Sequence, residues 1–181
     1  AALSVGVNGD ISDAALDKLK THLSQLPSSA ALKLTASIPA KKLDGLDINI
    51  VQKNSRATAI SLGSALSITR SSPDFPALWL ARAWLGEHRS TMARLFERIR
   101  DLRGLNYGDY AYIEAFPGGM YDFFPPVNVA RRAQIFEIWI RPVVPANAQM
   151  ALRIALFELD QLIKNGLTQK QFEETRNYLM K

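Results

Sequence analysis

Apolar residues recur along this chain with two different spacings, and the places where the spacing switches mark its elements. Ala15, Leu16, Leu19, Leu23 and Leu26 form one helical stripe between about Asp13 and Leu26, because residues three and four apart share a helix face. Ser12 stands at the N-cap position and Pro27 stops the helix. Ahead of it, Leu3 to Val7 is a short apolar run closed by Asn8-Gly9-Asp10, which predicts a strand and a turn. Leu46 to Val51 alternates with period two, and Arg56 to Ala65 carries the β-branched and small residues of a sheet interior. Both predict strands.

Asp74 as N-cap, with Pro76 in the first turn, opens a helix that runs to about Gly86 and keeps Leu78, Leu80, Ala81, Trp84 and Leu85 mostly inside. A second helix, from Ser90 or Thr91 to Leu102, buries Met92, Leu95, Phe96 and Ile99, and Gly104 is its natural C′ residue. Tyr107 to Phe116 and Ala133 to Val143 predict strands; in the latter, Phe136, Ile138 and Ile140 point one way and Glu137 and Arg141 the other. A long helix over Ala146 to Asn165 turns Ala151, Leu152, Ala155, Leu159, Leu162 and Ile163 to the core, and Thr168 with Gln171 makes a capping box for the last helix. Strand pairs separated by helix pairs, with no repeated βαβ unit, predict an α+β fold: a mostly antiparallel sheet with helices packed on one face.

At 181 residues the chain fits one domain, divided into a strand and helix over 1–27, an extended linker over 28–45 and a main α+β body over 46–181. A start at Ala1 and an end at Lys181, inside a pattern that is still helical, read as a piece of a longer protein. The 48% apolar and 22% charged content is that of a globular protein. The absence of cysteine excludes a disulfide framework and a thiolate metal site, and no apolar run approaches the roughly 18 to 20 residues of a membrane span. A net charge of +5 permits an acidic partner. Arginines cluster between 89 and 103, but Glu87, Glu97 and Asp101 are interspersed among them, so a solvated, ion-paired helix face competes with an anion-binding surface.

The two histidines, His22 and His88, do not form His-x-x-Glu-His or its inverse. There is no nucleophile elbow, phosphate loop or dinucleotide glycine fingerprint, so nothing in the chain makes a self-sufficient hydrolase. The loop from Pro117 to Arg132 carries Tyr121, Phe123 and Phe124, which either fold back on the domain or form part of a partner or substrate surface. One pair stands out. Arg100 ends a helix and Tyr107 enters a strand, and the corner between them can bring both heads to one side of the sheet. A guanidinium and a phenol so placed could hold a peptide carbonyl and an oxyanion. Alternatively, Arg100 pairs with Glu97 or Asp101 and Tyr107 is a half-buried strand aromatic.

The segment Leu85-Gly86, Ser90, Arg94-Leu95-Phe96 and Ile99-Arg100-Asp101-Leu102-Arg103-Gly104-Leu105-Asn106-Tyr107 resembles the signature of the pitrilysin/insulinase family of zinc metallopeptidases, which includes the mitochondrial processing peptidase. It is most similar to that family's second, non-catalytic half, and the resemblance covers nearly the whole chain. Val5 to Pro27 resembles the strand and helix that join the two halves, and Ala146 to Lys181 resembles the closing helices. The resemblance implies an α+β half of a clamshell, with zinc and its glutamate base in the other half, fused or separate, and no zinc in this chain. It implies that Arg100 and Tyr107 bind the backbone of a peptide substrate near the scissile bond. Glu87-His88-Arg89 depart from a second glycine usual after Gly86, which puts the turn beside the pair in doubt.

Three readings follow. The first is a zinc-free, substrate-binding half of a zinc metalloendopeptidase, inactive alone. The second is a catalytically vestigial structural or binding homologue of the same fold. The third is an RNA-binding domain, faintly echoed by Arg103 to Tyr110, but Leu105 stands where that signature needs an aromatic; no nucleic-acid partner is expected. Bacterial members of such a family are often exported, which leans the setting towards the periplasm.

Overall fold

The computed structural model describes residues 3, 5–27, 43–88, 90–113 and 134–181. Residues 28–42 of the linker expected over 28–45, Arg89 and the aromatic loop from Pro117 to Arg132 lie outside the described residues. The chain divides into two compact units, Ala1–Ser37 and Ile38–Lys181.

In the first unit, α1 spans Asp13–Ser24. Ser12 caps it, its Oγ accepting from the Ala15 N–H at 3.3 Å. No residue of α1 is buried, although Leu16, Leu19 and Leu23 are partly covered. The strand expected at Leu3 to Val7 is not found: the described residues there form no ladder and are exposed. An apolar run becomes a strand only where a neighbour takes its N–H and C=O groups.

The second unit is built on an antiparallel sheet of β1 (Thr58–Leu66), β2 (Asn106–Tyr112) and β3 (Gln134–Val143), in the order β1-β3-β2. The register sets Ile60 opposite Ile140 and Leu62 opposite Ile138 on one side, and Asp109 opposite Ile140 and Ala111 opposite Ile138 on the other. These residues form the core-facing row. On it pack α2 (Phe75–Gly86), α3 (Ala148–Asn165) and a short π-helix (Phe96–Asp101), and α4 (Gln169–Leu179) packs against α2. The core joins Leu85, Leu95, Ile99, Ala111, Ile138, Ile140, Val143, Ala151 and Ala155. This is the α+β arrangement the hydrophobic pattern predicts, with helices on one face.

Four expectations are corrected. Leu46 to Val51 is not a strand among the described residues; Leu46 and Ile50 are 85% and 86% exposed. The helix expected from residue 90 to 102 is α-helical only at Arg94 and Leu95 before it widens into the π-helix. Met92, which precedes that helical segment, is exposed instead of buried. Ile163 is 74% exposed because it lies about 100° round α3 from Leu162, which keeps to the core-facing stripe. Thr168 and Gln171 do form the capping box of α4. Asp74 occupies the N-cap of α2 without a side-chain cap bond.

Two details fix the walls around the site. Gly86 ends α2 against β2, where an added Cβ would lie 2.5 Å from the Ala111 nitrogen, so only glycine permits this approach. Just beyond it, buried Glu87 takes a hydrogen bond from Arg82 Nη1 at 3.0 Å, and Arg82 Nη2 stands 2.9 Å from its second oxygen.

Candidate functional site

The corner between the π-helix and β2 positions the candidate pair. The Leu102 N–H reaches back five residues to the Glu97 carbonyl at 3.0 Å, the wider winding of a π turn. Leu105 N–H then reaches the Ile99 carbonyl, and Gly104 takes φ +60°, a conformation that glycine adopts without a Cβ penalty. The chain reverses there and enters β2 beside the helix it has just left.

Arg100 and Tyr107 are thereby brought together. The Arg100 guanidinium lies between two rings, 4.7 Å from the Phe96 centroid and 4.6 Å from that of Tyr107. Its Nη1 donates to the Tyr107 backbone carbonyl at 3.0 Å. Stacking of this kind holds a guanidinium by its faces and leaves its charge uncancelled. Neither carboxylate expected to neutralise it does so: Glu97 accepts from Arg94 Nη1 at 2.8 Å, and Asp101 is exposed. Tyr107 is 67% exposed. Both residues line one groove of about 800 Å³ at the sheet end where β1 begins, β3 finishes and β2 starts.

The far wall of that groove is built from residues whose role the sequence did not reveal. His88 stacks on Tyr110 at 4.5 Å, and its Nδ1 is 3.0 Å from the Tyr112 hydroxyl. Tyr112 packs on Trp139, and the Arg141 guanidinium lies 4.4 Å from the Trp139 centroid. Burial pushes the Tyr112 hydroxyl well above the ordinary tyrosine range, with Tyr110 adding to the effect. A signal was present: Gly108, Tyr110 and Tyr112 alternate along one strand and therefore share one face, which the fold turns away from the core row. The segment after Gly86 is consequently not an idle turn, since Glu87 is anchored to Arg82 and His88 to the tyrosines.

On the opposite face of β2, Asp109 is buried among the core residues, and Asn106 Nδ2 donates to its Oδ1. Burial raises the Asp109 carboxyl to about 7, while the Asn106 hydrogen bond and the Arg100 charge pull the other way. Away from the groove, buried Glu158 of α3 accepts from Arg94 Nε at 2.8 Å and Arg98 Nε at 2.9 Å, which fastens the π-helix to α3.

Among the described residues no three His, Cys, Asp or Glu side chains gather as metal ligands. No described helix is long and apolar enough to cross a membrane.

Comparison with known proteins bears on family and fold. A family model described as the peptidase M16 inactive domain matches residues 2–179. No curated protein matches the chain. Among solved structures, the peptidase M16 inactive domain from Pseudomonas fluorescens superimposes with a TM-score of 0.57 at 21% identity, over 95% of this chain. At that identity the likeness is one of fold, and the chain spans only 37% of that protein's length.

Proposed function

The chain belongs to the family of peptidase M16 inactive domains, and from that premise we propose that it is the zinc-free, substrate-binding half of a zinc metalloendopeptidase, inactive by itself. The observation that carries this reading is the pairing of Arg100 with Tyr107 on the rim of one groove. A peptide lying along the groove would meet the Arg100 guanidinium, which polarises and orients a backbone carbonyl through charge-assisted hydrogen bonds. The exposed Tyr107 phenol donates to the oxygen on which negative charge develops as a carbonyl becomes tetrahedral. Zinc belongs to the catalytic partner half, fused or a separate subunit, where it supplies Lewis-acid polarisation and an activated water. This half binds and orients.

The test is turnover of a peptide without acidic residues and with an amidated C-terminus, by the protein together with its zinc-bearing half. Arg100→Ala and Tyr107→Phe are each expected to lower kcat/KM by about 10²-fold, the scale of losing one transition-state donor. A second reading is favoured by one observation: Arg100 donates to the backbone carbonyl of Tyr107 itself, as a purely structural clamp would. On that reading the pair is vestigial, the domain serves assembly, and both variants turn over peptide at the unaltered rate.

A further inference from the structure

The helical segment that carries Arg100 presents three pairs of residues four apart, and each pair takes its own side because such neighbours share a helix face. Leu95 and Ile99 are fully buried in the core. Phe96 and Arg100 line the groove, with the guanidinium stacked on the ring. Arg94 and Arg98 turn to α3, where both meet one carboxylate. Glu158 Oε2 accepts from Arg94 Nε at 2.8 Å, and its Oε1 accepts from Arg98 Nε at 2.9 Å. Glu158 is 1% exposed and stands outside the groove. The segment's own carboxylates do not tie it to α3: Glu97 accepts from Arg94 Nη1, and Asp101 is exposed. The Arg98 carbonyl also accepts from Arg103 Nη1 at 2.8 Å, which joins it to the corner that leads into β2.

Hydrophobic contact is non-directional, so Leu95 and Ile99 set how deep this short helix sits but not how it is rotated. The rotation is set by a directional contact, one carboxylate with an arginine on each oxygen. A turn that freed Arg94 and Arg98 from Glu158 would carry Phe96 and Arg100 along the groove wall. Without that carboxylate, two like charges four apart repel each other. We propose that Glu158 is a positioning residue for the grip on substrate: by holding Arg94 and Arg98 together it fixes the rotation of the π-helix, and with it the place of Phe96 and Arg100 in the groove. The inference rests on the substrate-binding reading and adds to it a residue, outside the groove, that acts through Arg100.

The experiment is a double-mutant cycle of Glu158→Gln and Arg100→Ala, read as kcat/KM for the amidated peptide without acidic residues, with the protein and its zinc-bearing half. Glu158→Gln keeps the size of the side chain but offers a single acceptor oxygen to two arginines. It is expected to lower kcat/KM about tenfold, since a small misplacement of an orienting group suffices for a loss of that size. Once Arg100 is alanine, it should have no further effect. A role in stability alone would lower turnover by the same factor in both backgrounds, and that result would overturn the proposal. So would an unchanged rate in Glu158→Gln where Arg100→Ala shows its loss of about 10²-fold. Arg98→Gln is the second variant; it leaves Glu158 paired with Arg94 and decides the matter alone if Glu158→Gln does not fold. Its loss should be smaller, with the same dependence on Arg100. If Arg100→Ala turns over peptide at the unaltered rate, the substrate-binding reading itself fails, and this proposal with it.

Discussion

Asp109 gives the sharpest residue-scale consequence. Its carboxyl titrates near 3.8 in an unfolded chain and near 7 in the folded one, because burial disfavours its charge. Between those values the folded state binds a proton that the unfolded state has released, so stability falls as pH rises from about 4 to about 7 and this contribution is flat above that. Asp109→Asn removes the titration while keeping the shape. Relative to the unaltered protein, the variant should gain on the order of a few kcal/mol between pH 4.5 and pH 8, measured by thermal or urea denaturation at the two pH values. A gap that stays constant across that range would mean that Asp109 keeps its charge in the fold. Nothing in the sequence marked Asp109 as buried: it sits between Gly108 and Tyr110 in an alternating strand, and alternation says which residues share a face but not which face is covered.

At the scale of elements, the end of α2 shows how closely one wall of the groove is built. Arg82 and Glu87 are both nearly inaccessible and answer each other. Arg82→Met would leave the Glu87 carboxylate buried without a counter-charge and should cost about 3–5 kcal/mol in urea denaturation. Arg82→Met combined with Glu87→Leu should recover most of that loss, since the penalty arises from the orphaned charge. Gly86→Ala would drive a methyl into the β2 backbone and should cost about 1–3 kcal/mol. The stripe of Ala151 and Ala155, the capping box at Thr168 and the glycine stop at Gly104 were legible because each is a local rule with a local cause. Leu46 to Val51 was not: its alternation meets the rule for a strand, but a strand also needs a partner ladder, and among the described residues it has none. The π-helix was equally hidden, since a register change of one residue leaves the apolar spacing at Leu95, Phe96 and Ile99 nearly unaltered.

For the molecule as a whole, the order of elements and the α+β class could be read from periodicity, whereas the far wall of the groove could not. Arg100 and Tyr107 are seven residues apart and joined by one corner, so their meeting is a near-local event. His88, Tyr110 and Arg141 come from three separate segments: the sheet register brings β2 beside Arg141, and His88 joins them by stacking on Tyr110. The same register sets a ranking of protection. Amides of β3, central between two ladders, should exchange with solvent most slowly, and those of residues 43–53 fastest, in a hydrogen-exchange time course. Comparable protection in the two segments would show that residues 43–53 are paired in solution.

The stacking of Arg100 between Phe96 and Tyr107 carries a kinetic corollary. An arginine free to swing loses up to about 2 kcal/mol of rotamer freedom when it closes on a ligand. In this fold that ordering happens once, during folding, because two aromatic planes immobilise the arm beforehand. Loosening the arm with Phe96→Leu should therefore slow productive encounter with peptide even though every donor remains present. Were Arg100 to grip a peptide as proposed, the ring beneath it would lower the ordering cost of that grip.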